Sequence, residues 1–514
     1  MARWYVDRTP GRGVPSVSLR KLLAGARFVG CPDWEVTGCA SDHRRLEPGQ
    51  VFVAVRDARY DGHGHVREAL DRGAAGVVVE REVSDAGRLQ VVVADARAAH
   101  ARLCQALAGD PSERLATIGV TGARGGTVAS LMIQSILRAA GLRCGLVGGS
   151  EWSEGDPARL ADDVASSRTW PGGAAGLASI LSYMVERRCH AGVIEVGAES
   201  LEARALEGLT FQAVAATDLA LPAGTSPETA LKRRRAAARL FRKIAPGGAA
   251  VVNDDDPDAE ILGGLNLDAR RVSFGLARPD RVDVSAAIER VDASGTRFLL
   301  LGRDRPTPVR LRLVGERHVA HALAAAAVAW SMHVELDAVV AGLEDVAEIA
   351  GSLEAVDAGQ DFDVRVDEAR TAESLQRALV ALRSTASGRI HLVLSAHGGQ
   401  DRATRRAASL VAETMADRVI LTLGDPRSED PDRCMDEMLG GFRRPGKACV
   451  QPDRRRAIEA ALSEARPGDA VLIAGKGRNA YQIFADRVVP FDDFAVARGF
   501  LTGVRVRSPL ARGA

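Results

Sequence analysis

The chain has 514 residues, 46% hydrophobic and 26% charged, with a formal net charge of +1 and only 4% aromatic residues. So even a charge balance gives no electrostatic reason to bind nucleic acid or an anionic membrane, and so few aromatics exclude a base-stacking surface. The length exceeds what one hydrophobic core normally serves and predicts three domains.

Residues 1–110 alternate short strands and helices. Gln50–Val55, Gly76–Val79 and Gln90–Ala94 read as strands, and Val66–Arg72 and Ala96–Ala108 as helices. Gly109-Asp-Pro-Ser112 breaks the pattern and marks a domain boundary. Residues 111–348 form a second α/β block. Its first strand, Thr117–Val120, runs into Thr121-Gly-Ala-Arg-Gly-Gly-Thr127, and a helix follows over Val128–Ala140. Strand, tight glycine turn and helix start make the setting of a phosphate cradle, because backbone N–H groups can approach the anion there. Where such a loop needs a lysine before its Ser/Thr, this chain has Gly126.

Arg143–Val147 and Ala191–Val196 are the next strands, the latter carrying Glu195 at its carboxyl end, where open α/β sheets bind ligands. Gln212–Thr217 and Ala249–Asn253 follow as strands, with a helix over Pro227–Ile244 between them. Residues 349–514 form the third unit. Strands at Asp363–Val366, Ile390–Leu394, Arg418–Leu421 and Ala470–Ile473 alternate with helices, which implies a mostly parallel sheet.

The seven cysteines (31, 39, 104, 144, 189, 434 and 449) are scattered without a CxxC pair, a set that suits reduced, buried thiols better than disulfides or zinc. The ten histidines show no HxxxH or HExxH spacing. No apolar signal core opens the chain and no run reaches membrane-spanning length, so the protein is expected to be cytoplasmic with no membrane insertion. Lys232-Arg-Arg-Arg235 reads as a solvated helix face, and Asp254-Asp-Asp256 as a turn.

From about residue 17 to 500 the order of motifs resembles the Mur ligases, and within them the branch that adds the third residue to UDP-N-acetylmuramoyl-dipeptide. The resemblance rests on Asp42-His-Arg44, Ala58–His63, Asp110-Pro-Ser112, Thr117-Ile-Gly-Val120, Ile194-Glu-Val196, Val251–Pro257, Gly424–Pro431, Gly475-Lys-Gly477, Tyr481-Gln482 and Pro490–Asp493. It implies an α/β fold of three-domain Mur-ligase architecture: an N-terminal uridine-nucleotide-type domain, a central P-loop-like ATPase domain and a C-terminal Rossmann-like domain. It also implies a reaction in which a carboxylate takes the ATP γ-phosphate and an amine then displaces phosphate. Such chemistry leaves the protein to place and neutralise oxyanions.

Position by position, the resemblance implies loss. In the GTNGKT-like loop Gly122, Gly125 and Thr127 remain, Gly126 replaces the lysine, and Arg124 lies two residues before it. In the EVSSH-like stretch Glu195 is kept as a metal ligand beside Thr127, but the two serines and the histidine are gone. The metal-binding histidine of the TNLSRDHLDYHG-like loop falls on Ala223, and the carbamylated lysine on Ala237. Lys232 lies on a different helix face from Ala237. Both asparagines of the NVxNALAA-like motif are histidines, His318 and His321. Asp367 remains as a ribose contact, Arg370 replaces a histidine, and Ser352 replaces a hinge arginine. On the amino-acid side Arg427 and Gly475 are kept and Asn479 replaces a glutamate; on the UDP-substrate side Asp42 and Arg44 are kept.

The first expectation is therefore a degenerate member of the family. It binds a UDP-sugar or nucleotide, has cell-wall precursor enzymes as partners, and holds neither ATP nor magnesium tightly. The alternative is an active ligase using ATP and Mg²⁺, in which Arg124, Arg370, His318 and His321 supply new contacts, or an amide ligase for another acid and amine.

Overall fold

The computed structural model describes residues 16–503, apart from 31–32, 57–59, 85–88, 149–150, 154–167, 170–172, 221–226, 293–294, 303–304, 347–352 and the single positions 399, 428, 478, 480 and 486. Two compact units emerge. The first comprises residues 1–287, 298–309 and 317–345, and the second 288–297, 310–316 and 346–514.

The first unit contains two large sheets beside a two-stranded pairing of Val17–Ser18 with Glu35–Val36. A five-stranded sheet runs in the order Arg27–Val29, Gln90–Val92, Gly76–Val79, Val51–Val53, Cys39–Ala40, and is parallel except where Arg27–Val29 joins its edge. Its strands are continuous apolar runs because both faces are covered. Val51, Val53, Val78 and Val91 point into one core, and Phe52, Val77 and Val79 into the other. Helix Ala96–Leu107 packs on the first of these faces, with Asp95 capping its start by accepting from the Ala98 N–H at 2.9 Å.

The larger sheet has eight strands, in the order Arg168–Thr169, Glu151–Ser153, Cys144–Val147, Ala191–Glu195, Ala116–Thr121, Phe211–Ala216, Ile244–Asn253, Ala269–Phe274. The six from Cys144 onward are parallel, and the first two form an antiparallel edge. Ala116–Thr121 lies at the centre, between Ala191–Glu195 and Phe211–Ala216. Its register pairs Val120 with Glu195 and Thr121 with Ala216. The loop after Thr121 therefore emerges level with the carboxyl ends of both neighbours.

The second unit holds a six-stranded sheet, Glu354–Ala355, Asp363–Asp367, Ala470–Ala474, Ile390–Ala396, Arg418–Leu423, Ala448–Val450. Only Glu354–Ala355 is antiparallel to its neighbour. Alternate residues fill two cores: Leu392, Leu394 and Leu421 on one face, Val393, Ile420, Val471 and Ile473 on the other. A separate three-stranded sheet, Ser285–Asp292, Gly295–Leu301 and Thr307–Leu311, has no counterpart in the pattern read from sequence. Five consecutive exposed residues in its first strand, 287–291, hide the alternation that betrays a half-buried strand.

The mixed α/β architecture with parallel sheets is the one the sequence implies. Element ends differ by a few residues. The helix expected from Val128 begins at Gly126, because Gly125 adopts a left-handed φ of 78° and turns the chain into it two residues sooner.

Candidate functional site

The centre of the first unit is Gly122–Thr127, held between two carboxylates. Gly122 permits a close approach, since a Cβ there would lie 2.1 Å from Thr217 Oγ1. The Thr217 hydroxyl donates to the Arg124 carbonyl at 2.6 Å, and the Ala123 N–H donates to the Asp218 carbonyl at 2.5 Å. These bonds lay the loop along the end of strand Phe211–Ala216. The guanidinium of Arg124 then folds onto Asp218, with Nε 2.7 Å and Nη2 2.6 Å from the same carboxylate oxygen. Arg124 is thus engaged by a carboxylate rather than directed at the mouth of the loop. Asp218 stands where the TNLSRDHLDYHG-like pattern has asparagine. Sequence reasoning passed over it because an Asp in a loop is unremarkable by itself.

On the other side Thr127 Oγ1 donates to Glu195 Oε1 at 2.9 Å. A Cβ at Gly126 would meet the same oxygen at 3.2 Å, a tight contact that a small shift of the Glu195 carboxylate would relieve. Thr127 and Glu195 are the residues able to contribute oxygens to a nucleotide-borne magnesium ion, which commonly takes one or two protein ligands and the phosphates. Ala237 is 2% exposed and sits in the apolar core of this unit, where a methyl group offers no donor. Ala223 and Ser352 fall outside the described residues.

His321 roofs the loop. A Cβ on Gly125 would lie 2.1 Å from its Nε2 and would displace the ring, and the φ of 78° there favours glycine as well. His318 stands edge-on to His321, with ring centroids 5.9 Å apart. Burial lowers the His318 pKa to about 4, helped by the nearby Arg317 charge, so this ring is neutral at pH 7.

In the five-stranded part of the same unit Asp42 and Arg44 pair with each other. Asp42 accepts from Nε and Nη2 of Arg44, both at 2.9 Å, and from the Arg44 N–H at 3.0 Å. Arg44 thereby lowers the Asp42 pKa to about 2. Beside them the rings of His43, His65 and Tyr60 stack nearly parallel, with His43 and His65 centroids 4.2 Å apart.

The second unit gathers a different set around Asp425. Lys476 is 2% exposed; its Nζ donates to Asp425 Oδ1 at 3.1 Å and also to the Tyr481 carbonyl. Asn479 Nδ2 donates to Asp425 Oδ2 at 3.1 Å, and the Asp425 N–H donates to His397 Nδ1 at 3.2 Å. Burial, reinforced by Arg370 and other nearby cations, holds His397 well below the usual histidine range. Asp425 and His397 were not singled out from sequence, although Asp425 sits inside the quoted Gly424–Pro431 stretch.

Arg370 Nε donates to the Gly475 carbonyl at 2.6 Å, which anchors the end of strand Ala470–Ala474. Asp367, expected as a ribose contact, accepts from the Leu353 and Ala369 N–H groups at 2.7 and 2.8 Å. Arg427 is exposed and holds a left-handed φ of 56°. Behind the strands Arg454 and Asp493 form a fully buried pair, 2.6 Å apart.

A glycine loop leaving the central strand of a parallel sheet and entering a helix places the chain in the phosphate-loop class of α/β proteins. Its family is more specific. The Mur ligase middle domain matches residues 120–329, and the Mur ligase, glutamate ligase domain matches residues 353–477. The chain belongs to the Mur ligase family. It is 34% identical to a UDP-N-acetylmuramoyl-L-alanyl-D-glutamate–2,6-diaminopimelate ligase of Geobacillus kaustophilus, over 91% of this chain and 95% of that one. It is also 34% identical to a UDP-N-acetylmuramyl-tripeptide synthetase of Roseiflexus sp., over 90% and 94% of the two chains. Among solved structures, a UDP-N-acetylmuramoyl-L-alanyl-D-glutamate–2,6-diaminopimelate ligase superposes with a TM-score of 0.64 at 24% identity, covering 95% of this chain and 99% of the other. Among the described residues no helix is long and apolar enough to cross a membrane.

Proposed function

We propose that this chain is a homologue of the tripeptide-synthetase branch with little or no ligase activity. In this reading it binds a UDP-sugar or nucleotide in the cytoplasm and acts as a partner or regulator of peptidoglycan-precursor enzymes. Its domains are 1–110, 111–348 and 349–514. The observation that carries the reading is the ion pair of Arg124 with Asp218 in a loop whose lysine position is Gly126. A triphosphate entering that loop meets Gly126 in place of lysine and a guanidinium already matched by Asp218, so this stretch of the loop adds no net positive charge to neutralise it. Loss of one preorganised charge-stabilising group costs roughly 10²–10³ in rate, and several groups acting as a unit fail together. Of the replacement contacts named for an active enzyme, Arg124 is engaged by Asp218 and Arg370 by Gly475, and His318 is neutral at pH 7.

The test is ADP release by the full chain with ATP–Mg²⁺, UDP-N-acetylmuramoyl-L-alanyl-D-glutamate and 2,6-diaminopimelate or another amino acid. No release above the ATP-only blank is expected. Amide formation at an ordinary enzyme rate, of about 1–10 s⁻¹, would overturn the proposal. Calorimetry with the UDP-dipeptide and with ATP–Mg²⁺ separately reports which ligand is still bound, and heat from neither would refute the binding role.

A further inference from the structure

Three side chains in the first unit converge away from the glycine loop. Cys39 lies on the edge strand Cys39–Ala40, and His100 and Cys104 lie one turn apart on helix Ala96–Leu107. The two sulfurs are 3.8 Å apart, and Cys104 Sγ is 3.5 Å from His100 Nε2. One donor atom from each of the three lies within 4.8 Å of the other two. Both cysteines are free thiols.

We propose that Cys39, His100 and Cys104 are three protein ligands of a tetrahedral zinc site, with water as the fourth. The geometry is the reason. With Zn–S near 2.3 Å and Zn–N near 2.0–2.1 Å, a tetrahedral ion spaces two thiolates by about 3.8 Å and a thiolate and imidazole by about 3.6 Å. Those are the two separations found. A disulfide would need the sulfurs about 1.8 Å closer.

Chemistry and surroundings agree. Two thiolates and a neutral imidazole balance the charge of Zn²⁺, so the unit as a whole is neutral. That suits its setting beside Ala101, Ala174, Ala178 and Ala205, which offer only methyl groups. Binding releases the two thiol protons to solvent. Cys104 is 7% exposed while Cys39 and His100 are partly exposed, which leaves a side for the ion to enter and for a water ligand. The ion would tie the edge strand to the helix that covers its sheet. Nothing in the cysteine spacing shows this, because Cys39 and Cys104 are separated by 65 positions. The one local hint is a histidine four residues before a cysteine on a single helix.

The experiment uses the full chain, purified under reductant without chelator. Elemental analysis should find one zinc per chain. Exchange for cobalt(II) should give thiolate charge-transfer bands in the near ultraviolet and the intense red d–d bands of a tetrahedral ion. Cys39→Ser should abolish stoichiometric retention, and His100→Gln should weaken it at least tenfold and shift the d–d bands. Both positions are partly exposed, so these variants report even where Cys104→Ser fails to fold. A reduced chain that binds no zinc, an octahedral cobalt spectrum, metal content unchanged in both variants, or a Cys39–Cys104 disulfide in freshly isolated protein would each overturn the proposal.

Discussion

His318 couples helix Glu316–Ser331 to pH. Its pKa in the folded chain is about 4, against about 6.5 for an unperturbed histidine, because burial disfavours the charged ring. Between those values the unfolded chain holds a proton that the folded chain does not. Stability therefore falls as pH drops from about 6.5 and levels off below about 4. At about 1.4 kcal/mol per unit the ceiling for this one residue is about 3 kcal/mol. His397 acts in the same direction. Urea unfolding at pH 7 and pH 4.5 measures the loss, and His318→Asn should flatten it by the His318 share; an unchanged pH slope in that variant would remove His318 as the cause. His318 and His321 were legible in the sequence as departures from an asparagine pattern. Their burial was not, since a histidine on an apolar helix face reads the same whether it meets solvent or core. Asp218 shows the converse. Its type is ordinary, and its role comes only from the register that lays Arg124 against it.

At the scale of elements, helix Leu336–Asp345 packs on helix Gly126–Ala139 at a point where no side chain fits. A Cβ on Gly342 would lie 2.3 Å from the Ile136 Cα. Helix propensity alone says that alanine at a helical glycine gains roughly 1 kcal/mol. Overpacking against backbone costs about 1–3 kcal/mol and has no flexible side chain to yield. Gly342→Ala should therefore destabilise the protein, lowering its urea midpoint without changing the slope; a raised midpoint would show that the helices can part. The long parallel strands were readable because burial on both faces makes each one a continuous apolar run, as in Gly76–Val79 and Ile390–Ala396. The Ser285–Leu311 sheet, exposed along much of its first strand, leaves no such trace.

For the molecule as a whole, opposite charges are finely interspersed. Even the densest basic run is answered locally: Lys232 lies 2.9 Å from Glu228, and Arg234 pairs with Asp258. With a formal net charge of +1, the full chain should pass through a heparin or DNA column at physiological ionic strength. Retention that weakens as salt is raised would contradict this. The two-unit division, by contrast, came only with the coordinates. Residues 288–297 and 310–316 group with the second unit although the stretches on either side belong to the first, and a reading along the chain has no means of reassigning them.

The arginine–aspartate pair in the glycine loop bears on inhibitor selectivity. A triphosphate mimic that draws its grip from a loop lysine finds Gly126 in its place and an Arg124 guanidinium already paired with Asp218. Such a compound should distinguish this chain from ligases whose loop still carries lysine, even when the two share a cell and a fold.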